Sequence, residues 1–202
     1  MADFFPPDVE QPEPDWEEYV QPPWFTPPVD EVPVPFSASQ LLAATEHVAI
    51  ALAGGDVYRD GVEFRIERRL RRRGLPTAEW EDLSADFMDH WPGGHRGRAG
   101  RRRYGLVLGD GERVLDDLPG LGDRDARPEG HTLMRTGGGG GGGMNSYSST
   151  DGLWLWPAPP PGTIELVLQW PAFGIGEQRA SIDAGELLVL ASGVQRFWDE
   201  QA

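Results

Sequence analysis

The chain contains neither cysteine nor lysine. Without cysteine there are no disulfides, no thiolate metal ligands and no thiol nucleophile, so any metal site must rest on His, Asp or Glu. Without lysine all 18 basic side chains are Arg. A coding sequence biased toward G and C explains that as readily as selection for guanidinium chemistry, so Arg abundance alone carries no functional argument. No window reaches the roughly 18 to 20 apolar residues of a membrane span, and Met1 to Pro7 lacks the basic start and apolar run of a secretion signal. A cytoplasmic address with no membrane partner is the expectation. Basic residues are also missing from the first 36 positions, and the net charge is −15. That field repels polyanions, so nucleic acid is not expected to bind the full-length chain.

What those first residues do contain is unusual. Nine acids, ten prolines and seven aromatic rings fall within residues 1 to 36. Prolines at this density delete backbone donors and fix φ, which precludes a regular helix or a central strand. Residues 1–38 therefore read as a flexible, extended acidic tail, and 39–202 as the folded domain. Yet Trp16, Tyr19, Trp24 and Phe25 are large apolar groups that need a cover.

The rest of the chain is punctuated like a β protein. Glu46 to Ala53 and Gly61 to Leu70 are rich in β-formers, with turn chemistry at Gly54, Gly55, Asp56 and Asp60 between them. In the second, Val62, Phe64, Ile66 and Leu70 share one face and Glu63, Arg65, Glu67, Arg69 and Arg71 the other. Arg103 to Leu115 is a hairpin turning on Gly109-Asp110-Gly111. Further strands are expected over 131–135, 153–156, 163–170 and 177–182. A short helix over about 78–90 is signalled by Thr77 as N-cap, acids in the first turn and Trp80, Leu83, Phe87 and Trp91 near helical spacing. Asp183 caps a second helix over about 184–198, with Leu187, Leu190, Ala191, Val194 and Trp198 as its apolar stripe. Together these predict a mainly β, antiparallel β-sandwich of immunoglobulin-like size with one internal and one C-terminal helix. The seven glycines of Gly137–Gly143 are expected to be a flexible connector, since they lack the Lys-Ser/Thr ending of a phosphate loop.

The order of a DG hairpin, a poly-Gly tract, LWLWPAPPPG, LQWPAFGI and a closing helix resembles a family of uncharacterised bacterial proteins. In that family a glycine tract likewise precedes W-x-W-P-x-P-P-P-G and E-W-P-A-x-G-I stretches. The resemblance covers residues 46 to 198 and is densest between Gly137 and Ile175; Gln169 stands where the family has Glu. It implies a compact domain and brings no catalytic residues with it.

Three constellations carry candidate chemistry. In LWLW, Leu153 and Leu155 face one way and Trp154 and Trp156 the other, so a second apolar face needs covering by the final helix or the aromatic tail. Trp16, Tyr19, Trp24, Phe25, Trp154 and Trp156 are thus the candidate partner-binding residues, for a partner protein or for the chain itself. Arg68, Arg69, Arg71, Arg72, Arg73, Arg101, Arg102 and Arg103 form two clusters that could meet on a sheet edge and hold a polyanion once the tail is removed; a solvated strand face is the plainer alternative. His90 and His95, with Asp86 and Asp89, have the atoms for a divalent metal; Asp86, Asp89 and His90 could share one helical face, but a Gly-rich turn places His95, so no fourth ligand is evident. No cofactor is implied, and a non-enzymatic interaction module is preferred over a metal-assisted enzyme.

Overall fold

The computed structural model describes residues 21–88, 100–116 and 126–198. The chain is mainly antiparallel β, arranged in two principal sheets. In chain order the strands are β1 (Glu31–Val32), β2 (Val34–Ala44), β3 (Val48–Val57), β4 (Val62–Arg71), β5 (Arg103–Val107), β6 (Arg113–Leu115), β7 (Thr132–Gly137), β8 (Gly140–Gly143), β9 (Ser146–Trp156), β10 (Thr163–Trp170), β11 (Ile175–Asp183) and β12 (Gln195–Arg196). Helix α1 (Thr77–Met88) precedes β5, and α2 (Ala184–Ala191) follows β11. The larger sheet runs β2-β3-β4-β9-β7 with β8 paired to β9, and the smaller β11-β10-β5-β6. β1 and β12 form a separate ribbon.

Alternation decides which side chains meet. Ile50 and Leu52 of β3, Phe64 and Ile66 of β4, Leu153 and Leu155 of β9, and Tyr104, Leu106, Leu166 and Leu168 of the smaller sheet all enter one continuous buried cluster. The outer strands of the two sheets also adjoin, β11 beside β2 and β6 beside β7. Gln40 donates its side-chain N–H to Ser181 O across the first seam, and Arg135 Nε–H donates to Asp116 at 2.7 Å across the second. Helix α1 straddles one end, its Trp80 ring 5.6 Å from Tyr147 of β9 and its Phe87 ring 5.9 Å from Trp170 of β10.

Four expectations are corrected. The tail was expected to run to residue 38, but β2 begins at Val34 and is an edge strand of the larger sheet. Its position there accommodates Pro35, because an edge strand can lose a donor without breaking a ladder. Gly54 and Gly55 lie inside β3 instead of a turn. A Cβ on Gly54 would sit 2.1 Å from Phe36 O and one on Gly55 2.0 Å from Glu63 O, so these glycines let three backbones pack closely. The glycine tract is not a bare connector: Gly140–Gly143 pairs with Ser146–Ser149. Finally, α2 ends at Ala191 instead of 198, and Gln195–Arg196 turns back to pair with Glu31–Val32. Asp183 does cap it, accepting from Gly185 N–H at 2.8 Å, but Trp198 is 68% exposed and no part of an apolar stripe.

Among the described residues no helix is long and apolar enough to cross a membrane.

Candidate functional site

Two groups of candidate residues converge. The first is on the outer face of the larger sheet. Because Leu153 and Leu155 point into the main core, Trp154 and Trp156 are turned outward, where they join Met134 of β7 in a second buried cluster. Trp24, Phe25 and Tyr58 pack against it. The Trp24 ring lies 5.7 Å from that of Trp156, and Tyr58 meets Trp154 edge-on at 5.4 Å, geometries that ring quadrupoles favour. Trp154 Nε1–H donates to Pro23 O at 2.8 Å, so the one polar atom of this buried indole is satisfied by the N-terminal segment. The floor is shaped for the ring: a Cβ on Gly61 would lie 2.3 Å from Trp154, so glycine at that turn makes the space. Burial together with Glu63, Asp56 and Glu31 pushes the Tyr58 hydroxyl up to about 12, which keeps the rim residue neutral.

Trp24, Phe25, Trp154 and Trp156, named from the sequence, are therefore brought together. Trp16 and Tyr19 lie outside the described residues.

The second group is internal. Arg68 and Arg102 are each only 5% exposed, so neither belongs to a surface patch as expected. Both reach Asp151, Arg68 Nη2–H donating at 2.9 Å and Arg102 Nε standing 3.2 Å away. Tyr104 donates its hydroxyl to the same carboxylate at 2.6 Å. Arg68 also donates to Ser149 Oγ at 2.8 Å and to Phe87 O at 2.9 Å, which places its charge on the C-terminal end of α1, where the helix dipole is negative. The guanidiniums lie against aromatic faces, Arg68 4.9 Å from the Phe87 ring and Arg102 5.0 Å from Trp170. Burial pushes the Asp151 carboxyl up, but Arg102 and Arg68 outweigh it and hold the group below the usual Asp range. Burial pushes the Tyr104 hydroxyl well above its ordinary value, so it stays a hydrogen-bond donor. Above this cluster, a cavity of about 320 Å³ is lined by Arg68, Arg135, Ser149, Asp151 and the backbone of the glycine tract.

The remaining arginines of the set disperse. Arg69 pairs with Glu67, Arg71 Nε–H donates to Glu46 O, and Arg72 donates to Leu75 O and Thr77 Oγ1, fixing the turn before α1. Arg73 is exposed with a positive φ of 40°, and Arg103 faces outward on β5. Arg101 lines a groove on the smaller sheet. His90, His95 and Asp89 lie outside the described residues. Among the described residues no cluster of three or more His, Asp or Glu side chains is placed to hold a metal.

The Arg68–Arg102–Asp151–Tyr104 cluster escaped the sequence reading, yet strand parity carries it. Arg68 has the same phase as Phe64, Ile66 and Leu70, Arg102 that of Tyr104 and Leu106, and Asp151 that of Leu153 and Leu155.

No family model, curated protein or solved structure matches this chain.

Proposed function

We propose that this chain is a non-enzymatic protein-interaction module: a two-layer β-sandwich whose outer aromatic face, built on Trp154, Trp156 and Met134, recognises a Pro-aromatic segment. In this reading Pro22–Phe25 is its own ligand, held in cis and exchanged for a similar segment of a partner protein. The observation that supports it is the Trp154 indole donating to Pro23 O while Trp24 covers Trp156.

Energetics favour exchange over permanent closure. Trp24 and Phe25 are only half-buried, so each contributes less than the roughly 1.5–3 kcal/mol of full ring burial. Ordering the four residues costs about 1–2 kcal/mol each, reduced at Pro22 and Pro23 because their φ is already fixed. The same segment also buries Trp154 and Trp156 and accepts hydrogen bonds at Pro23 O and Trp24 O, so the docked state is favoured yet open to displacement by a competing segment.

A synthetic peptide of residues 21–30, titrated into the full chain carrying Trp24→Ala and Phe25→Ala, is expected to bind the variant. The unaltered chain, whose face is occupied, is expected to bind it at least tenfold more weakly. Equal binding to both, or none to either, would dispose of the reading. Calorimetry reads both arms.

A further inference from the structure

We propose that the outer face of the smaller sheet is a docking surface for residues 1–20 of this same chain. The site uses the other sheet and other residues than the aromatic face, so the two stand or fall separately.

The groove follows from register. Gly105 of β5 is paired with Leu115 of β6 on one side and with Val167 of β10 on the other, and Val167 in turn with Arg179 of β11. All four lie on the outward phase, so the row reads Leu115, Gly105, Val167, Arg179 across the sheet, with a notch where Gly105 has no side chain. Leu115 leans over that gap: a Cβ on Gly105 would come 3.2 Å from Leu115 Cδ2, and Gly105 is buried beneath it. The neighbouring rows place Arg103 opposite Gln169 at one end and Arg113 opposite Val107 at the other. The result is a cavity of about 380 Å³ with an apolar floor, lined by Arg101, Arg103, Arg113 and Arg179 against only Asp116 and Glu177. Asp116 is engaged by Arg135, and Arg179 by both Glu177 and Glu165, so the positive charge used here is that of Arg103 and Arg113. Arg103 and Arg113 are exposed. Leu115, the apolar wall of the notch, is 61% exposed.

The occupant is identified by charge and reach. On a chain of net charge −15, a groove flanked by Arg103 and Arg113 runs against the average charge. Residues 1–20 carry seven acids, no basic side chain, and four rings, with Asp15-Trp16-Glu17-Glu18 placing a ring between acids. That pattern complements an apolar strip between two guanidiniums, the ring lying against Leu115 and Val167 and the carboxylates meeting Arg103 and Arg113. Reach is ample. Pro22–Phe25 lies over β9 and β7, and β7 adjoins β6 at the seam closed by Arg135 and Asp116. Two strand spacings of about 4.8 Å separate β7 from β5, whereas twenty residues in a polyproline-like conformation extend about 60 Å.

Because the chain has no cysteine, a labelled pair can be introduced cleanly. Spin labels on full-length chain carrying Gln11→Cys and Ser181→Cys are expected to give a short, narrow distance distribution by pulsed electron resonance. That peak is expected to lose most of its amplitude when Arg103→Glu and Arg113→Glu are added. It should weaken likewise in about 1 M salt, where screening acts over about 3 Å. A broad distribution in the parent chain, or a narrow one indifferent to both changes, overturns the proposal. So does a dipolar signal between singly labelled chains mixed together, which would mean docking onto a second copy. The charge-reversal pair leaves Trp24, Trp154 and Trp156 untouched, so an unaltered response to the 21–30 peptide separates failure here from failure of the aromatic-face reading.

Discussion

Asp151→Asn is expected to destabilise the fold by about 3–5 kcal/mol, the range seen when one partner of a buried ion pair is removed. The reason is electrostatic. Asp151 is the shared carboxylate between Arg68 and Arg102 at 2.9 and 3.2 Å, and its loss leaves two like charges facing each other against the Trp170 ring. Asparagine keeps the shape and can still accept from Tyr104, so the variant isolates charge from packing. Adding Arg68→Met should recover part of the loss, since one of the two repelling cations is then gone. Urea unfolding at neutral pH reads both, and a change below about 1 kcal/mol would mean that the carboxylate is dispensable. The pH dependence has a definite sign. The folded-state pKa of Asp151 is depressed, so its contribution is fully present above the ordinary carboxylate range near pH ~4 and disappears as the pH falls through the folded value. The parent chain should therefore lose this increment only below about pH 4, and Asp151→Asn should be flatter across that window.

Trp154→Ala is the second large effect, expected at about 3–5 kcal/mol, or a fall in Tm of roughly 6–20 °C for a chain of this size. Trp154 is 1% exposed although it points away from the main core. Its cover comes from Tyr58, Met134 and the Pro22–Phe25 segment, and truncation removes the ring that all of them touch. A loss of only a few tenths of a kcal/mol, as for a surface tryptophan, would show that this cover does not form. Calorimetric melting distinguishes the outcomes.

These two residues also mark where the sequence was legible and where it was not. Period-two alternation in LWLW announced two apolar faces, and the second is indeed covered, by the aromatic segment and not by the final helix. Alternation likewise held through β4, and the Asp-Gly turn chemistry placed the hairpin at Gly109–Gly111. The same rule carried the buried cluster, but Arg68 was grouped with its charged neighbours by residue type when its phase belonged with Ile66 and Leu70. Type is a poor guide there because a buried guanidinium needs a carboxylate far along the chain, and Asp151 stands 83 residues away. The glycine tract carries no side-chain pattern at all, so its pairing with Ser146–Ser149 is imposed by β9 and cannot be read locally. The end of α2 was lost for a related reason: local periodicity continues to Trp198, but Phe197 N–H donates to Asp30 O, a bond between opposite ends of the chain.

The most direct measurement is hydrogen exchange at the Trp154 indole N–H in the full chain, followed by NMR. If Pro22–Phe25 sits on the outer face, that proton is slow to exchange, and Trp24→Ala with Phe25→Ala accelerates it many-fold while amides of β4 and β9 remain protected. Rapid exchange in the unaltered chain, or a rate that ignores the double substitution, would contradict the docked segment on which the functional reading rests.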